Sequence, residues 1–326
     1  MYAAGLDPLR DRVMNLFTAG GLYSGFIGFF KALETVGAPQ FPMAMFPNLE
    51  MVGQTIVEHR VNVLVGMPPY LLQLFNANDP LFAEYRGIEK IFYSGDHFDP
   101  GQAQHLKDRY GVKVIRSGHY GSIDAGSFGF QCAFCEGSIL HLHDHLQDLE
   151  ILDPELDQPV ATGEVGRMVF SCHVHSPESM QRYDTGDLGR WVEGDCPCGR
   201  ATPRFELMGR VSDWFKVGAS FMNYWRIVDG VRRETGYVGN TQVLLTSEHG
   251  RDRLTVRLAA DGSLDAERVR EAILGSYPEL AERVQARRSC DLAVELVAEE
   301  GFVRSRTSGK IRHVVERRRV IPGFEP

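Results

Sequence analysis

From Arg12 to about Gly118 the chain alternates short apolar runs with amphipathic ones. Val13–Phe17 has the character of a buried strand, Tyr23–Thr35 carries apolar residues at helical spacing, Gln40–Met45 is extended and Leu49–His59 is helical again. Val61–Met67 (VNVLVGM) is an almost unbroken apolar run, as expected of a strand covered on both faces. A helix starting at Pro69–Phe75 and a strand at Ile88–Ser94 (IEKIFYS) follow. A further helix should run from Asp99-Pro100, an Asp N-cap with proline at the first helical position, to about Tyr110. Gly111 ends it, and Val112–Ile115 is the next strand. Repeated βα units of this length predict a mostly parallel sheet with helices on both faces. Such sheets bind ligands beyond the carboxyl ends of their strands, which points to the loops Ser94-Gly95-Asp96 and Ser117–Asp124 (SGHYGSID).

From Ala125 to Val192 the pattern changes to short strands, Leu149–Leu152, Gly166–Ser171 and Leu188–Val192, punctuated by Asp153-Pro154 and Thr162-Gly163-Glu164. An antiparallel β region beside the first sheet is expected. The stretch Arg182–Gly218 then holds a strand-and-turn run ending in an acid (Tyr183–Asp187), a Cys-x-Cys pair and a Gly209-Arg210 step, after which the composition changes. Beyond it lies material for a small α+β domain: a helix at Met222–Thr235, a strand pair at Thr241–Thr246 and Leu254–Leu258, a helix at Ser263–Leu274 capped by Ser263, and a strand at Asp291–Val297. The domain division expected is 1–209, with βα units over 1–124 and a β-rich part over 125–209, then 210–326. No internal repeat or low-complexity segment is found.

Composition narrows the function classes. Apolar residues at 43% and charged ones at 24% are ordinary globular values, so disordered and fibrous classes are out. With 35 basic against 43 acidic side chains the net charge is −8, and the basic face of a nucleic-acid binder is missing. Six cysteines, four of them as Cys132/Cys135 and Cys196/Cys198, suit a reducing cytoplasmic setting better than a disulfide scaffold. The uncharged run between Arg12 and Lys31 approaches spanning length, but Asn15, Thr18, Ser24 and its glycines favour a buried strand, turn and helix over a membrane segment.

Those cysteines, with His141, His143 and His145 between them, offer enough thiolate and imidazole for a tetrahedral zinc. The candidate ligands are Cys132, Cys135, His141, Cys196 and Cys198, with Cys135 and His141 as alternatives for the last place. A zinc there would pin the turn after Asp124 to the loop before Arg210. With four protein ligands it would be structural rather than catalytic.

Taken singly, the remaining motifs read as turns. Gly309-Lys310 lacks the glycine spacing and the following Ser or Thr of a Walker loop. Their order carries more: Tyr120-Gly121 with Asp124, then Thr185-Gly186-Asp187, then Gly209-Arg210, then Ser308-Gly309-Lys310. Together with GSILHLHDHLQDLEILDPE, CPCGRATPRFELMGR and RTSGKIRHVVERR, this series resembles the adenylate-forming superfamily of acyl-CoA synthetases, in its phenylacetate-CoA ligase and coenzyme F390 synthetase branch, from about Leu16 to Arg318.

The resemblance implies activation of an aryl carboxylate by ATP to acyl-AMP, then transfer to CoA. It implies that Tyr120 stacks on adenine, that Asp124 takes the place of the usual Mg²⁺-binding glutamate, and that Asp187 accepts from the ribose hydroxyls. Arg210 would bind ribose or phosphate, and Lys310, from the small lid domain, the α-phosphate and carboxylate. Phe17, Gly21, Gly95, Ser117 and His119 would line the acyl pocket, and Ser212 or Asp213 would be the hinge. The superfamily's Ser/Thr/Gly-rich phosphate loop is not found, which implies an incomplete, N-terminally truncated large domain. The partners expected are therefore the small-molecule acid and CoA, with a complementing N-terminal polypeptide or a second copy of the chain as further possibilities. Nucleic acid and membrane are not expected. Rival readings are a non-catalytic remnant, an AMP- or partner-binding module, and one half of a split ligase.

Overall fold

Five short strands open the chain: β1 (Val13–Asn15), β2 (Gln40–Pro42), β3 (Val63–Gly66), β4 (Lys90–Tyr93) and β5 (Val114–Ser117). In the computed structural model they pair in parallel in the order β2-β1-β3-β4-β5. The structure describes residues 1–318 except 21–22, 99, 154–155, 174–179, 218–219, 249–250, 261–263, 286–289 and 306–309. Helices α1 (Gly25–Val36), α2 (Leu49–Glu58), α3 (Pro68–Ala77), α4 (Asp79–Tyr85) and α5 (Pro100–Tyr110) supply the crossovers.

Alternate residues of the central strands go to opposite faces, and both faces are covered. Val63, Val65 and Phe92 pack with Phe17, Phe29 and Leu33 on one side. Leu64, Ile91 and Tyr93 pack with Val52, Ile56, Leu74 and Leu106 on the other. Two-sided burial is the reason VNVLVGM reads as a continuous apolar run rather than an alternating one. Helix ends are conventional: the Asn48 side chain accepts from the Met51 amide to cap α2, and Gly111 after α5 takes φ 76°.

The β-rich part holds β6 (Tyr120–Ser122), β7 (Gly126–Phe130), β8 (Ile139–Leu142), β9 (Gln147–Leu152), β10 (Gly166–Cys172), β11 (Tyr183–Val192) and β12 (Arg204–Arg210). They form an antiparallel sheet ordered β6-β7-β8-β12-β11-β10-β9. Its core is aromatic, with Phe128 and Phe170 stacked at 3.9 Å beside Phe205 and Met168. The mostly parallel sheet followed by an antiparallel region is the arrangement expected from the pattern.

The chain divides between Val211 and Ser212. Arg210, expected to open the second domain, is the last residue of β12 and sits opposite Asp187 on β11, which keeps it in the first unit. The second unit contains the hairpin β13 (Trp214–Val217) and β14 (Ser220–Asn223), then α6 (Tyr224–Thr235), β15 (Thr241–Glu248), β16 (Arg251–Ala259), α7 (Ala266–Ser276), α8 (Pro278–Gln285), β17 (Cys290–Val297) and β18 (Val314–Glu316). Its four-stranded sheet runs β17-β16-β15-β18 around Val243, Leu245, Leu254 and Val256.

Two local expectations change. Met222 lies in β14, not in the helix, because the Asn223 side chain accepts from the amides of Trp225 and Arg226 and starts α6 at Tyr224. Asp265 caps α7, while Ser263, the expected cap, lies outside the described residues. Among the described residues no helix is long and apolar enough to cross a membrane.

Candidate functional site

The loops after β4 and β5 are tied to each other. Ser94 Oγ donates to the His119 carbonyl at 2.8 Å, Ser117 Oγ to the same oxygen at 3.2 Å, and the Gly118 amide to Tyr93 O at 2.7 Å. Gly95 between them takes φ 86°. Burial, with His143 nearby, pushes the His119 imidazole down to about 4, so it is neutral at pH 7. Gly121 is required by space: a Cβ there would stand 2.2 Å from Gly126 O and 2.6 Å from the His119 ring. Phe17 is fully buried and stacks on Phe29 at 4.2 Å, and Gly21 lies outside the described residues.

Three residues singled out for the nucleotide meet on the β-rich sheet. Tyr120 Oη donates to Asp187 Oδ2 at 2.7 Å, and Arg210 Nε lies 2.9 Å from Asp187 Oδ1. A second Arg210 nitrogen donates to Thr185 O at 2.7 Å. The register places Asp187 directly opposite Arg210. Gly186, at φ 69°, lies in β11 where its pairing with β10 is irregular, between Asp184 and Leu188, and a Cβ there would stand 3.4 Å from the Arg210 guanidinium. Burial, then the adjacent carboxylate, holds the Tyr120 phenol protonated well above its usual range. Its ring packs against Phe128 and Phe205 at 5.4 and 5.9 Å. Asp124, in the turn after β6, is exposed and accepts from Tyr183 Oη at 3.3 Å.

The cysteines gather at one place. The donor atoms of Cys132, His141, Cys196 and Cys198 all lie within 4.8 Å of one another. A tetrahedral zinc with ordinary bond lengths has edges of about 3.8 Å between sulfurs and about 3.6 Å from sulfur to nitrogen. Cys132 and Cys196 Sγ are 3.6 Å apart, and Cys198 Sγ is 3.5 Å from His141 Nε2. His141 is oriented through its other nitrogen, 2.9 Å from Thr202 Oγ1, as metal-binding imidazoles commonly are. Burial lowers its pKa and so favours the neutral, ligating form. Cys135 Sγ sits 3.5 Å from Cys132 Sγ as a fifth donor and accepts from the Cys132 amide.

Burial raises the Cys132 and Cys196 thiols. For Cys198, burial also pushes upward, but hydrogen bonds from Arg200 outweigh it and bring the thiol to about 7. The residues present therefore fit a zinc ion.

Gln131 was not anticipated from sequence. It is 2% exposed, accepts from the Ser117 amide at 2.6 Å and donates to the carbonyls of Gly137 and Ile139, joining the end of β5 to the loop that carries Cys132 and Cys135. A lone glutamine before a cysteine gives no pattern that would have revealed it.

In the second unit Lys310 is half-buried, with Ser308 and Gly309 outside the described residues. Of the two hinge candidates, Ser212 is exposed, whereas Asp213 is 2% exposed and hydrogen bonded.

No protein-family model matches the chain. It is 25% identical over 270 residues to an indoleacetate–lysine synthetase of Pseudomonas savastanoi, covering 79% of this chain and 61% of that protein. To a phenylacetate-coenzyme A ligase of Thermus thermophilus it is 24% identical over 217 residues, covering 65% and 48%. The chain thus spans about half to three-fifths of the length of these curated relatives. A 2-hydroxyisobutyryl-CoA ligase, solved in the postadenylation state with R3-HIB-AMP, superposes with a TM-score of 0.74 at 23% identity, over 97% of this chain and 67% of that one. The parallel sheet followed by an antiparallel region is the fold of the adenylate-forming ligases, and the chain's sequence relatives are phenylacetate-CoA ligases and an indoleacetate–lysine synthetase.

Proposed function

We propose that this chain is the acid-activating part of an ATP-dependent ligase. It would join an aryl carboxylate to AMP with release of pyrophosphate, and then pass the acyl group to the thiol of CoA. The observation that supports this most is the contact of Tyr120 and Arg210 with Asp187, a carboxylate on β11 left 19% exposed. An ionised carboxylate held by two donors is fixed in place and keeps lone pairs for the two hydroxyls of a ribose. Arg210 beside it adds positive charge for the α-phosphate, and the Tyr120 ring would offer adenine an aromatic surface. Mg²⁺, held by Asp124, would neutralise the phosphates as pyrophosphate leaves. Lys310 would place its charge where the acyl phosphate oxygens develop theirs.

The acid would lie by the loops joined through Ser94, Gly95, Ser117 and His119. A neutral His119 imidazole there suits an aromatic acid better than a second cation would. A zinc held by Cys132, His141, Cys196 and Cys198 would be structural. The likeness to both a CoA ligase and a lysine ligase makes the acceptor the point to test.

Pyrophosphate release from ATP should be measured with phenylacetate, indoleacetate, benzoate and 2-hydroxyisobutyrate, each with CoA or lysine as acceptor. Aryl acids should give turnover that requires Mg²⁺ and yields a CoA thioester. Absence of pyrophosphate release with every acid, together with no AMP binding, would sink the proposal. A lysine amide in place of a thioester would correct the acceptor alone.

A further inference from the structure

Two buried polar groups in the second unit grip the base of the hairpin that carries Lys310. The limbs are 303–305 and 310–312: the Ser305 amide donates to Lys310 O at 2.8 Å, the Arg312 amide to Val303 O at 3.0 Å, and Arg304 bridges to Ile311. Gln242 on β15 is fully buried and its side-chain amide reaches both limbs. Nε2 donates to Val303 O at 2.9 Å and to Arg312 O at 2.8 Å, while Oε1 accepts from the Val303 amide at 3.1 Å. A carboxamide has two N–H donors, and here one goes to each limb.

The next residue is held as firmly. His313 O accepts from the Val243 amide at 2.8 Å, its ring lies flat on Tyr224 at 4.4 Å, and its Nδ1 is 3.0 Å from Asp213 Oδ1. The other Asp213 oxygen accepts from Trp225 Nε1 at 3.1 Å. The second residue of the unit is thereby bonded to the segment that continues from Lys310.

We infer that Gln242, supported by the Asp213–His313 pair, is a positioning residue for Lys310. Burying a carboxamide is unfavourable unless each polar atom is satisfied, and an apolar side chain of the same length would fill the space on β15. The arrangement of the amide is accounted for by the two limbs it holds in register. With the limbs fixed at Val303 and Arg312, the backbone of Lys310 has one location on the unit, so the long side chain starts from a defined point. The inference rests on the role proposed above for Lys310.

The test uses the full chain with three substitutions. Gln242→Met keeps the length and removes all three hydrogen bonds, and Gln242→Glu keeps the acceptor but removes both donors. Val256→Ala, in the same core on β16, lowers stability without touching the hairpin. Two readouts are taken: amide hydrogen exchange at Ser305 and Arg312 by NMR, and kcat and KM for adenylation.

In Gln242→Met the two amides should exchange at least about tenfold faster while those of β16 keep their protection, with Gln242→Glu between. The kcat should fall at least about tenfold with KM for ATP within about twofold, and Val256→Ala at equal loss of melting temperature should keep its kcat. Unchanged exchange at Ser305 and Arg312 in Gln242→Met overturns the inference, as does an equal fall in kcat from Val256→Ala. Should the wild type show no adenylation, the proposed function fails, and the exchange rates alone decide whether the clamp exists.

Discussion

Stripping metal from the Cys132, His141, Cys196 and Cys198 cluster should lower the melting temperature of the first unit. Three sulfurs and an imidazole converge with contacts of 3.5–3.6 Å, and without an ion they leave weak thiol contacts in place of metal bonds. If free zinc stands at about a thousand times its dissociation constant, binding stabilises the fold by about 4 kcal/mol. A unit of roughly 200 residues shifts by about 2–4 °C per kcal/mol, so the loss should be about 8–16 °C. The assay is a thermal melt of purified protein before and after a chelator, with metal content measured on the same samples. Cobalt replacement then reports the donors. Cys196→Ser should abolish binding, His141→Ala should change the cobalt spectrum, and Cys135→Ser should leave one equivalent bound. Loading releases protons from thiols that burial holds high, so affinity should fall as pH falls. A stripped protein that melts within about 2 °C of the loaded one would refute the reasoning, as would purified protein carrying almost no zinc.

Three further outcomes are expected. Asp187→Ala removes the acceptor shared by Tyr120 and Arg210 and should weaken AMP binding by about 1.5–3 kcal/mol, or roughly 10- to 150-fold, in calorimetry; unchanged affinity would exclude Asp187 from the nucleotide site. Lys310→Ala should cut adenylation by about 10²–10³ while the melt of the second unit holds, and retained activity would remove Lys310 from the chemistry. His119 has a folded pKa of about 4, below its unfolded value near 6.5, so the folded state disfavours the proton. Stability from the neutral form is complete above about pH 6.5 and lost as pH falls toward 4, by up to about 3 kcal/mol, and denaturant melts of His119→Gln should show a flatter dependence over that window.

Elements with a strong period are legible from the amino-acid pattern alone. VNVLVGM can be placed because both faces of β3 are covered, and the α5 boundaries because Pro100 fixes a helical φ and Gly111 freely takes the positive φ that ends the helix. The short strands of the second sheet are harder. β12 buries Phe205 but exposes Met208, so its pattern resembles a loop, and its place between β8 and β11 is set by long-range pairing. The site divides in the same way. Asp187 and Arg210 can be named from motif order, but that they meet depends on a cross-strand register carrying an irregularity between Leu188 and Gly189. Gln131 and Gln242 are invisible in the sequence because their function lies in which backbone atoms they reach, and composition records nothing of that.

β12 links the metal cluster to the nucleotide residues, since its first residue, Arg204, sits opposite His141 and its last, Arg210, opposite Asp187, and its length limits what one can do to the other. Thr202, which orients His141, lies just before β12, and Arg210 is the last residue of β12. At about 3.3 Å per residue the strand spans about 20 Å, too far for a divalent ion to act on the Asp187 carboxylate through water and salt. Any influence has to pass through the register of β12 against β11 and β8. Register in a sheet with a buried face is close to all-or-none, since a one-residue slip would turn Phe205 out of its aromatic core. Below the temperature at which the stripped protein begins to melt, AMP affinity should therefore be the same with and without metal. Above it, affinity and fold should be lost together.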